Sequence, residues 1–137
     1  MKLADLPTPA LVLDRARLAA NGERMRRQAE RLGVALRPHV KTLKSVEALR
    51  HALPEATAIT VSTLAEAQHF AAAGWRDILY AVGIVPSKLP QVAALRRQGV
   101  DLKVTLDTTE VAAALAAAGA EAPPAVIEID CGAGRGG

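Results

Sequence analysis

The segment from Arg37 to Lys44, RPHVKTLK, places an arginine, a histidine and two lysines beside apolar stretches that are typical of a sheet interior. On an extended strand, Arg37, His39 and Lys41 lie on one face. A lysine amine that is desolvated and close to other cations is more easily held in its neutral, nucleophilic form. Lys41 is therefore a candidate nucleophile. The plainer interpretation, ion pairing with carboxylates, applies first to Arg37, and the two interpretations are compatible.

A repeating unit surrounds this segment: a short run rich in β-branched residues, a helix N-cap, an apolar periodic helix and a glycine. The predicted strands are PALVLD from Pro9, VALRPHVK from Val34, AITVS from Ala58, DILYAV from Asp77, DLKVTLD from Asp101 and AVIEIDCG from Ala125. The predicted N-caps are Ser45, Thr63, Ser87 and Asp107, and the helix-ending glycines are Gly33, Gly74, Gly99 and Gly119. Strands that alternate with helices predict βαβ units and a parallel sheet.

Four of the predicted strands, those from Val34, Ala58, Asp101 and Ala125, alternate apolar with polar residues, so each has one face of each kind. In a (β/α)8 barrel the apolar face packs on the helices and the polar face points inward, and active sites form at the C-terminal rim of the strands. The last polar residues of the strands, which would meet at that rim, are Lys41, Ser62, Asp107 and Asp130. Inside the barrel, Arg37 and Lys103 are expected to pair with Glu128 and Asp130.

Composition limits the possible partners and the cellular compartment of this protein. The net charge is only +3, the basic residues are spread along the chain, and Trp75, Tyr80 and Phe70 are its only aromatic residues of the Phe, Trp and Tyr types. This argues against a nucleic-acid partner. The single cysteine, Cys131, excludes an internal disulfide framework and is expected in the core of its strand. The sequence shows no signal peptide and no membrane-spanning stretch, so a cytoplasmic protein is predicted.

Other candidate groups support weaker hypotheses. His51 and His69 fall within helix patterns, where surface or packing positions are expected. Glu128 and Asp130 could serve as metal ligands or as an acid–base pair, but no histidine-rich cluster accompanies them, so no metal site is predicted within this chain. The terminal GAGRGG fits the glycine spacing of a dinucleotide fingerprint, yet the helix and acidic residue that complete the fingerprint do not follow.

Four segments in their order and spacing carry a resemblance to a known family: TPALVLD, RPHVKT, ITVSTLAEAQHFAAAGWRDILYAV and EIDCGAGRGG. From Thr8 to Gly137 the chain resembles the N-terminal barrel domain of the pyridoxal-phosphate enzymes related to alanine racemase, most closely the D-serine dehydratase and D-threonine aldolase branch. The resemblance implies that Lys41 forms the Schiff base with the cofactor aldehyde. It also implies that Arg135 reaches the phenolic oxygen of the cofactor ring.

Two further residues, His39 and Ser62, are expected at the cofactor. Leu43 stands where the family pattern has a second histidine, which bears on substrate handling rather than on cofactor attachment. In the family the first predicted strand, PALVLD, belongs with a second domain, so five of the eight barrel strands are expected here, from VALRPHVK to VIEIDCG. Residues 1–137 are thus expected to be the N-terminal part of a PLP-binding barrel domain, with the rest of the barrel and a C-terminal β domain outside this chain.

The implied activity is a lyase that acts on a β-hydroxy D-amino acid, by dehydration or by aldol cleavage, in a homodimer. A divalent metal, zinc or manganese, is expected only in the C-terminal domain, and the 137-residue chain by itself is expected to be inactive. Two alternatives stay open: a barrel protein that binds pyridoxal phosphate without turnover, and an amino-acid racemase.

Overall fold

Strands and helices alternate through residues 2–137, the part of the chain that the computed structural model describes. The α-helices are α1 (Arg15–Arg31), α2 (Val46–Ala52), α3 (Leu64–Ala72), α4 (Leu89–Arg97) and α5 (Thr109–Ala117). The strands are β1 (Ala58–Val61), β2 (Asp77–Gly83), β3 (Asp101–Leu106) and β4 (Ala125–Ile127). Short 3-10 helices cover Leu3–Asp5, Pro86–Lys88 and Gly119–Glu121.

The sheet follows the chain order, β1-β2-β3-β4, and every neighbouring pair is parallel. Asp77 pairs with Ala58 on one side and with Asp101 on the other, so β1, β2 and β3 begin at the same level. One α-helix lies between each strand and the next. This arrangement agrees with the predicted (β/α)8 order, in which successive strands are neighbours and helices form the outer layer.

The second predicted strand, VALRPHVK, joins this sheet through a single parallel bridge between His39 and Thr60. Its two hydrogen bonds run from Val40 N–H to the Thr60 carbonyl at 2.9 Å and from Thr60 N–H to the Pro38 carbonyl at 2.8 Å. The bridge extends the sheet beyond β1, on the side away from β2. It fixes the position of Lys41, two residues beyond His39, relative to the end of β1.

The segment PALVLD is predicted to be a strand that belongs with a second domain outside this chain. Residues 9–14 form no strand, and the side chain of Leu11 is fully exposed. A strand requires a partner for its backbone donors and acceptors, and no other segment within residues 2–137 pairs with these residues.

Helix boundaries follow two of the four predicted N-caps. The Ser45 hydroxyl accepts from Ala48 N–H at 3.1 Å, and the Thr63 hydroxyl accepts from Glu66 N–H at 3.0 Å. Ser87 is not a cap, because it lies inside a 3-10 helix that leads into α4. The prediction of Asp107 as an N-cap is wrong by one residue, because the Thr108 hydroxyl caps α5. The predicted helix-ending glycines all have positive φ: Gly33, Gly74, Gly99 and Gly119.

The predicted alternation of faces is confirmed in β1 and β3, and burial alternates along β2 as well, although no alternation is predicted there. Their helix-facing side chains have no exposed surface: Ile59, Val61, Ile78, Tyr80, Leu102 and Val104. On β4 the same alternation does not produce burial, and Ile127 and Ile129 are 71% and 74% exposed. The reason is that no helix within residues 2–137 follows β4 to cover that face.

Helices α1 and α2 approach each other closely at Gly22. A Cβ atom at this position would overlap the carbonyl oxygen of Ala52, so only glycine allows this contact. Within residues 2–137, no helix has both the length and the apolar character needed to cross a membrane.

Ion pairs lie on the polar face of the sheet, near the N-terminal ends of the strands. The Arg37 guanidinium donates to both carboxylate oxygens of Asp77, at 2.9 and 2.8 Å. The Lys103 ammonium donates to the same Asp77 carboxylate at 2.8 Å and also to Asp101. These four residues therefore form one alternating network of charges across the beginnings of β2 and β3.

The predicted partners of Arg37 and Lys103 are wrong. Glu128 and Asp130 form no ion pair with any residue that the structure describes, and Asp77 takes their place. Glu128 and Asp130 follow the end of β4, whereas both cations lie near the strand starts, so the separation along the barrel axis explains the difference. Arg37 is consequently neutralised far from the C-terminal rim.

Candidate active site

Two of the predicted site residues meet where neighbouring parallel segments end. His39 lies on the bridged segment and Ser62 directly follows β1. Their side chains are joined by a hydrogen bond of 3.2 Å between His39 Nε2 and Ser62 Oγ. Both side chains are half-buried. The carboxyl-terminal rim predicted from the strand pattern therefore exists at this point, and it contains an imidazole and a hydroxyl in contact.

The tautomer of His39 follows from its two neighbours. Lys41 N–H donates to Nδ1 of the ring at 3.3 Å, so Nδ1 carries no proton. In a neutral imidazole the proton then lies on Nε2 and is donated to Ser62 Oγ. Burial of the ring, together with the positive charge of Lys41, lowers the pKa of His39 below its ordinary value of 6.5, against a smaller opposing effect of Glu66. The imidazole is uncharged at neutral pH.

Glu66 fixes the loop that carries Ser62. Its carboxylate accepts from Ser62 N–H at 2.8 Å, while its backbone N–H donates to the Thr63 hydroxyl. The capping-box spacing of Thr63 and Glu66 was visible in the sequence. The sequence did not show that the carboxylate would bond to Ser62 rather than to the N-cap residue itself, and Glu66 was therefore missed as part of the site.

Lys41 differs from the expectation in its surroundings. Its side chain is exposed, and its ammonium group has no hydrogen bond or ion pair with the residues in the 2–137 range. The predicted desolvation of Lys41 is thus wrong for this structure. The predicted repulsion by Arg37 is wrong as well, because Asp77 neutralises that guanidinium. The structure leaves a primary amine without a carboxylate partner, beside an uncharged imidazole.

The glycine-rich segment after β4 is closed by Asp130. Its carboxylate accepts from the backbone N–H groups of Gly132, Ala133 and Gly134, at 2.8 to 3.1 Å. These bonds, chiefly those of Gly132 and Gly134, lower the pKa of Asp130. The amides that a dinucleotide phosphate would need are already bonded within the loop. The weak fingerprint match at GAGRGG therefore has a structural explanation that involves no nucleotide.

Arg135 lies in this same loop and is exposed. Its guanidinium has no hydrogen bond or ion pair within the described residues, and no contact joins it to His39 or Ser62. Cys131 is also exposed, so the prediction that it belongs to the core is wrong. The strand ends at Ile127, and the turn closed by Asp130 carries Cys131 away from the sheet.

The remaining candidates do not join the site. His51 accepts a hydrogen bond from Arg15 at 3.2 Å, and the His69 ring packs edge-on against Phe70 at 5.3 Å. Asp107 is exposed near Gly83. Within residues 2–137, no three His, Cys, Asp or Glu side chains are grouped so that they could hold a metal ion. A groove of about 430 Å³ between α1 and α2 includes Gly22 and His51. None of the residues predicted at the cofactor lines this groove: His39, Lys41, Ser62 and Arg135.

Comparison with known proteins places this chain in a family. The family described as "Alanine racemase, N-terminal domain" matches residues 13–137. The D-threo-3-hydroxyaspartate dehydratase of Delftia sp. (strain HT23) is 49% identical over 98% of this chain and 37% of its own length. A D-threonine aldolase of Arthrobacter sp. is 39% identical over 98% of this chain and 37% of that protein.

Solved structures agree in fold. A variant of the D-threo-3-hydroxyaspartate dehydratase superposes with a TM-score of 0.92 at 48% identity, over 97% of this chain and 35% of that one. An alanine racemase-like protein from Idiomarina loihiensis gives 0.91 at 45% identity, over 98% of this chain and 37% of that one. These matches confirm the predicted class, an α/β chain that forms part of a (β/α)8 barrel. The chain spans about 37% of the length of the Delftia dehydratase and of the Arthrobacter aldolase, and it belongs to the alanine racemase N-terminal-domain family.

Proposed function

We propose that this chain is the N-terminal part of a pyridoxal-phosphate-dependent lyase that acts on a β-hydroxy D-amino acid, and that Lys41 is the residue that attaches to the cofactor. The observation that carries the proposal is the Lys41 amine, which has no carboxylate partner among residues 2–137 and lies beside the joined His39–Ser62 pair at the C-terminal rim. The names of the relatives support the substrate class, since they act on D-threo-3-hydroxyaspartate and D-threonine.

The donor set fits this cofactor chemically. A primary amine is the group that condenses with an aldehyde, and an exposed guanidinium, that of Arg135, is suited to a charge-assisted bond with a phenolate. The neutral imidazole of His39 adds no positive charge next to the amine. When bound, pyridoxal phosphate supplies an electron sink for the carbon from which substrate bonds are broken.

The residues of this chain then have separate tasks. Lys41 would hold the cofactor through its amine. His39 and Ser62 would line the site beside Lys41, and the Arg135 guanidinium would bond to the phenolic oxygen of the cofactor ring. Leu43 presents an apolar side chain, partly buried against the core. Leu43 offers no polar group to a substrate hydroxyl, so we expect residues outside 1–137 to contact the β-hydroxyl group.

Groups outside this chain complete the proposal. One variant of the Delftia dehydratase has been solved in a metal-free form. We place a divalent metal, zinc or manganese, in a C-terminal domain outside residues 1–137, and we expect the complete enzyme to be a homodimer.

The test is reductive trapping in the complete gene product. After incubation with pyridoxal phosphate and borohydride, peptide mapping should find the reduced adduct on Lys41. Lys41→Arg should abolish the adduct and the visible absorbance of the bound cofactor, whereas the matched variant Lys44→Arg should retain both. An adduct on Lys44 or Lys103 in the unaltered protein contradicts the assignment.

Turnover tests the substrate class separately. The unaltered protein should release ammonia from D-threo-3-hydroxyaspartate or D-serine, or an aldehyde from D-threonine. A correctly trapped Lys41 without any product from these three substrates would retain the cofactor assignment and reject the lyase.

A further inference from the structure

We propose that His39 is a positioning residue for Lys41. Its uncharged ring, with the proton on Nε2, is hydrogen-bonded to the backbone of Lys41 and to the side chain of Ser62. These two bonds hold Lys41, at the end of the bridged segment, at the rim. The inference rests on the proposed role of Lys41. It concerns a residue that acts through its neighbours and need not itself touch the reacting atoms.

The evidence is a continuous chain of hydrogen bonds across three elements. Lys41 N–H donates to His39 Nδ1 at 3.3 Å, Nε2 contacts Ser62 Oγ at 3.2 Å, and Ser62 N–H donates to the Glu66 carboxylate at 2.8 Å. The bridged segment is thereby joined to the end of β1 and to the first turn of α3. The segment is also joined to the sheet by the His39–Thr60 bridge and by the Arg37 guanidinium, which donates to the Ile59 carbonyl and to the Asp77 carboxylate. The His39 ring is the side-chain group that bonds to the backbone of Lys41 itself.

The hydrogen bond from Lys41 N–H to Nδ1 favours the neutral tautomer that carries its proton on Nε2. A backbone N–H always donates, so Nδ1 must accept and the proton of the neutral ring must lie on Nε2. If the ring took up a second proton, Nδ1–H would face the Lys41 N–H, and the two donors would repel each other. Protonation of His39 would thus break the link and also place a positive charge beside the amine.

The charged groups that act on the ring are Lys41 and Glu66. Lys41 disfavours the protonated ring, while Glu66 and the backbone of Thr60 favour it, and burial of the ring decides the balance. The pKa of His39 is therefore lowered below 6.5, so at neutral pH the ring stays uncharged and keeps its bonds to Lys41 and Ser62. The geometry and the protonation state therefore agree.

Two substitutions test the contributions of the two ring nitrogen atoms separately. In His39→Asn the amide oxygen can replace Nδ1 and accept from Lys41 N–H, whereas in His39→Gln the longer side chain reaches the position of Nε2. The rate at which pyridoxal phosphate becomes trappable on Lys41 is measured in the complete gene product. We expect His39→Gln to slow it on the order of tenfold, because misplaced reacting groups lose rate steeply. His39→Asn keeps the acceptor for Lys41 N–H but loses the contact with Ser62, so it should slow trapping less than His39→Gln does, and by about as much as Ser62→Ala.

The pH profile provides the readout that a purely structural role would not change. The trapping rate of the unaltered protein should fall as the pH drops through the pKa of His39, below 6.5, and His39→Asn should lack that step. Ser62→Ala should slow trapping and Ser62→Thr should restore it, which keeps the test decisive if His39→Gln does not fold. Melting temperatures of the cofactor-free variants identify any folding defect.

The outcomes distinguish the two proposals. If the unaltered protein is trapped on a lysine other than Lys41, the proposed function fails. If it is trapped on Lys41 but the Asn, Gln and Ser62 variants share one rate and one pH profile with it, the positioning role of His39 is overturned while Lys41 keeps its assignment.

Discussion

The carboxylate of Asp77 accepts two hydrogen bonds from the guanidinium of Arg37, at 2.9 and 2.8 Å. The same carboxylate accepts a third bond, at 2.8 Å, from the ammonium of Lys103. One anion therefore holds two cations from segments on either side of β2. This arrangement neutralises the charges on the polar face of the sheet at the strand starts. Lys41 lies at the opposite end of the strands.

Replacing Asp77 should weaken the fold and leave the rim unchanged. Asp77→Asn removes the anion and leaves Arg37 and Lys103 without their shared partner. Because these side chains are about a third exposed, we expect a loss of about 1–2 kcal/mol in the free energy of unfolding. Urea unfolding of the cofactor-free complete gene product measures this loss. Asp101→Asn, which loses only a bond to Lys103, should cost less; an equal cost would contradict the central role of Asp77.

The contribution of Asp77 should also depend on pH in a defined direction. Its bonds with Arg37, and then those with Lys103, lower its pKa in the folded state below the ordinary value of 3.8. A carboxyl group with a lowered folded-state pKa stabilises the fold above its unfolded-state pKa and loses this effect as the pH falls through the folded-state value. The stability difference between the unaltered protein and Asp77→Asn should be constant above about pH 5 and shrink below 3.8. A constant difference down to about pH 2 would contradict the assignment.

The proposed role of Arg135 predicts a spectral change. A guanidinium that bonds to the phenolic oxygen favours the ionised ring, so Arg135→Ala should retain the cofactor but shift the pH dependence of its visible absorbance. Arg135→Lys, which keeps the charge but not the planar donor group, should shift it less. Absorbance titration of the complete gene product measures both effects. An unchanged titration in Arg135→Ala would indicate a solvated loop residue.

Asp130 should influence the cofactor indirectly, through the loop that carries Arg135. Its Oδ1 atom accepts from three consecutive backbone N–H groups. Asp130→Asn keeps an oxygen at this position and should retain the loop, whereas Asp130→Ala releases the loop and should reproduce part of the Arg135→Ala spectral shift. If Asp130→Ala gives the unaltered titration, the loop does not depend on this carboxylate.

The sequence predicted what depends on periodicity. Alternating residues placed Ile59 and Leu102 on the buried face and His39 and Ser62 on the same polar edge, because the two-residue period of a strand determines its faces. The helix-ending glycines were equally predictable, since positive φ favours glycine.

Partners between distant segments were less predictable. Asp77 and Asp101 both begin their strands, and this shared position was the available signal for the ion network. Periodicity specifies a face but not how far a long side chain reaches along it, so Glu128 and Asp130 were equally reasonable partners for Arg37. Similarly, AVIEIDCG predicted a longer strand than the observed Ala125–Ile127, because the pattern does not show that the Asp130 carboxylate bonds to the backbone of Gly132, Ala133 and Gly134 and closes a turn there.

The last prediction concerns the 137-residue chain made by itself. It exposes a set of large apolar side chains on two segments: Leu11, Val12, Leu13, Val126, Ile127 and Ile129. Exposed apolar surface beside a strand with an open edge promotes association, so this chain should aggregate, bind pyridoxal phosphate poorly and show no lyase activity. Replacing both Ile127 and Ile129 by threonine should reduce aggregation in light scattering. Met25→Thr, on an exposed position of α1, should not. A monomer that melts cooperatively with one bound cofactor would contradict this prediction.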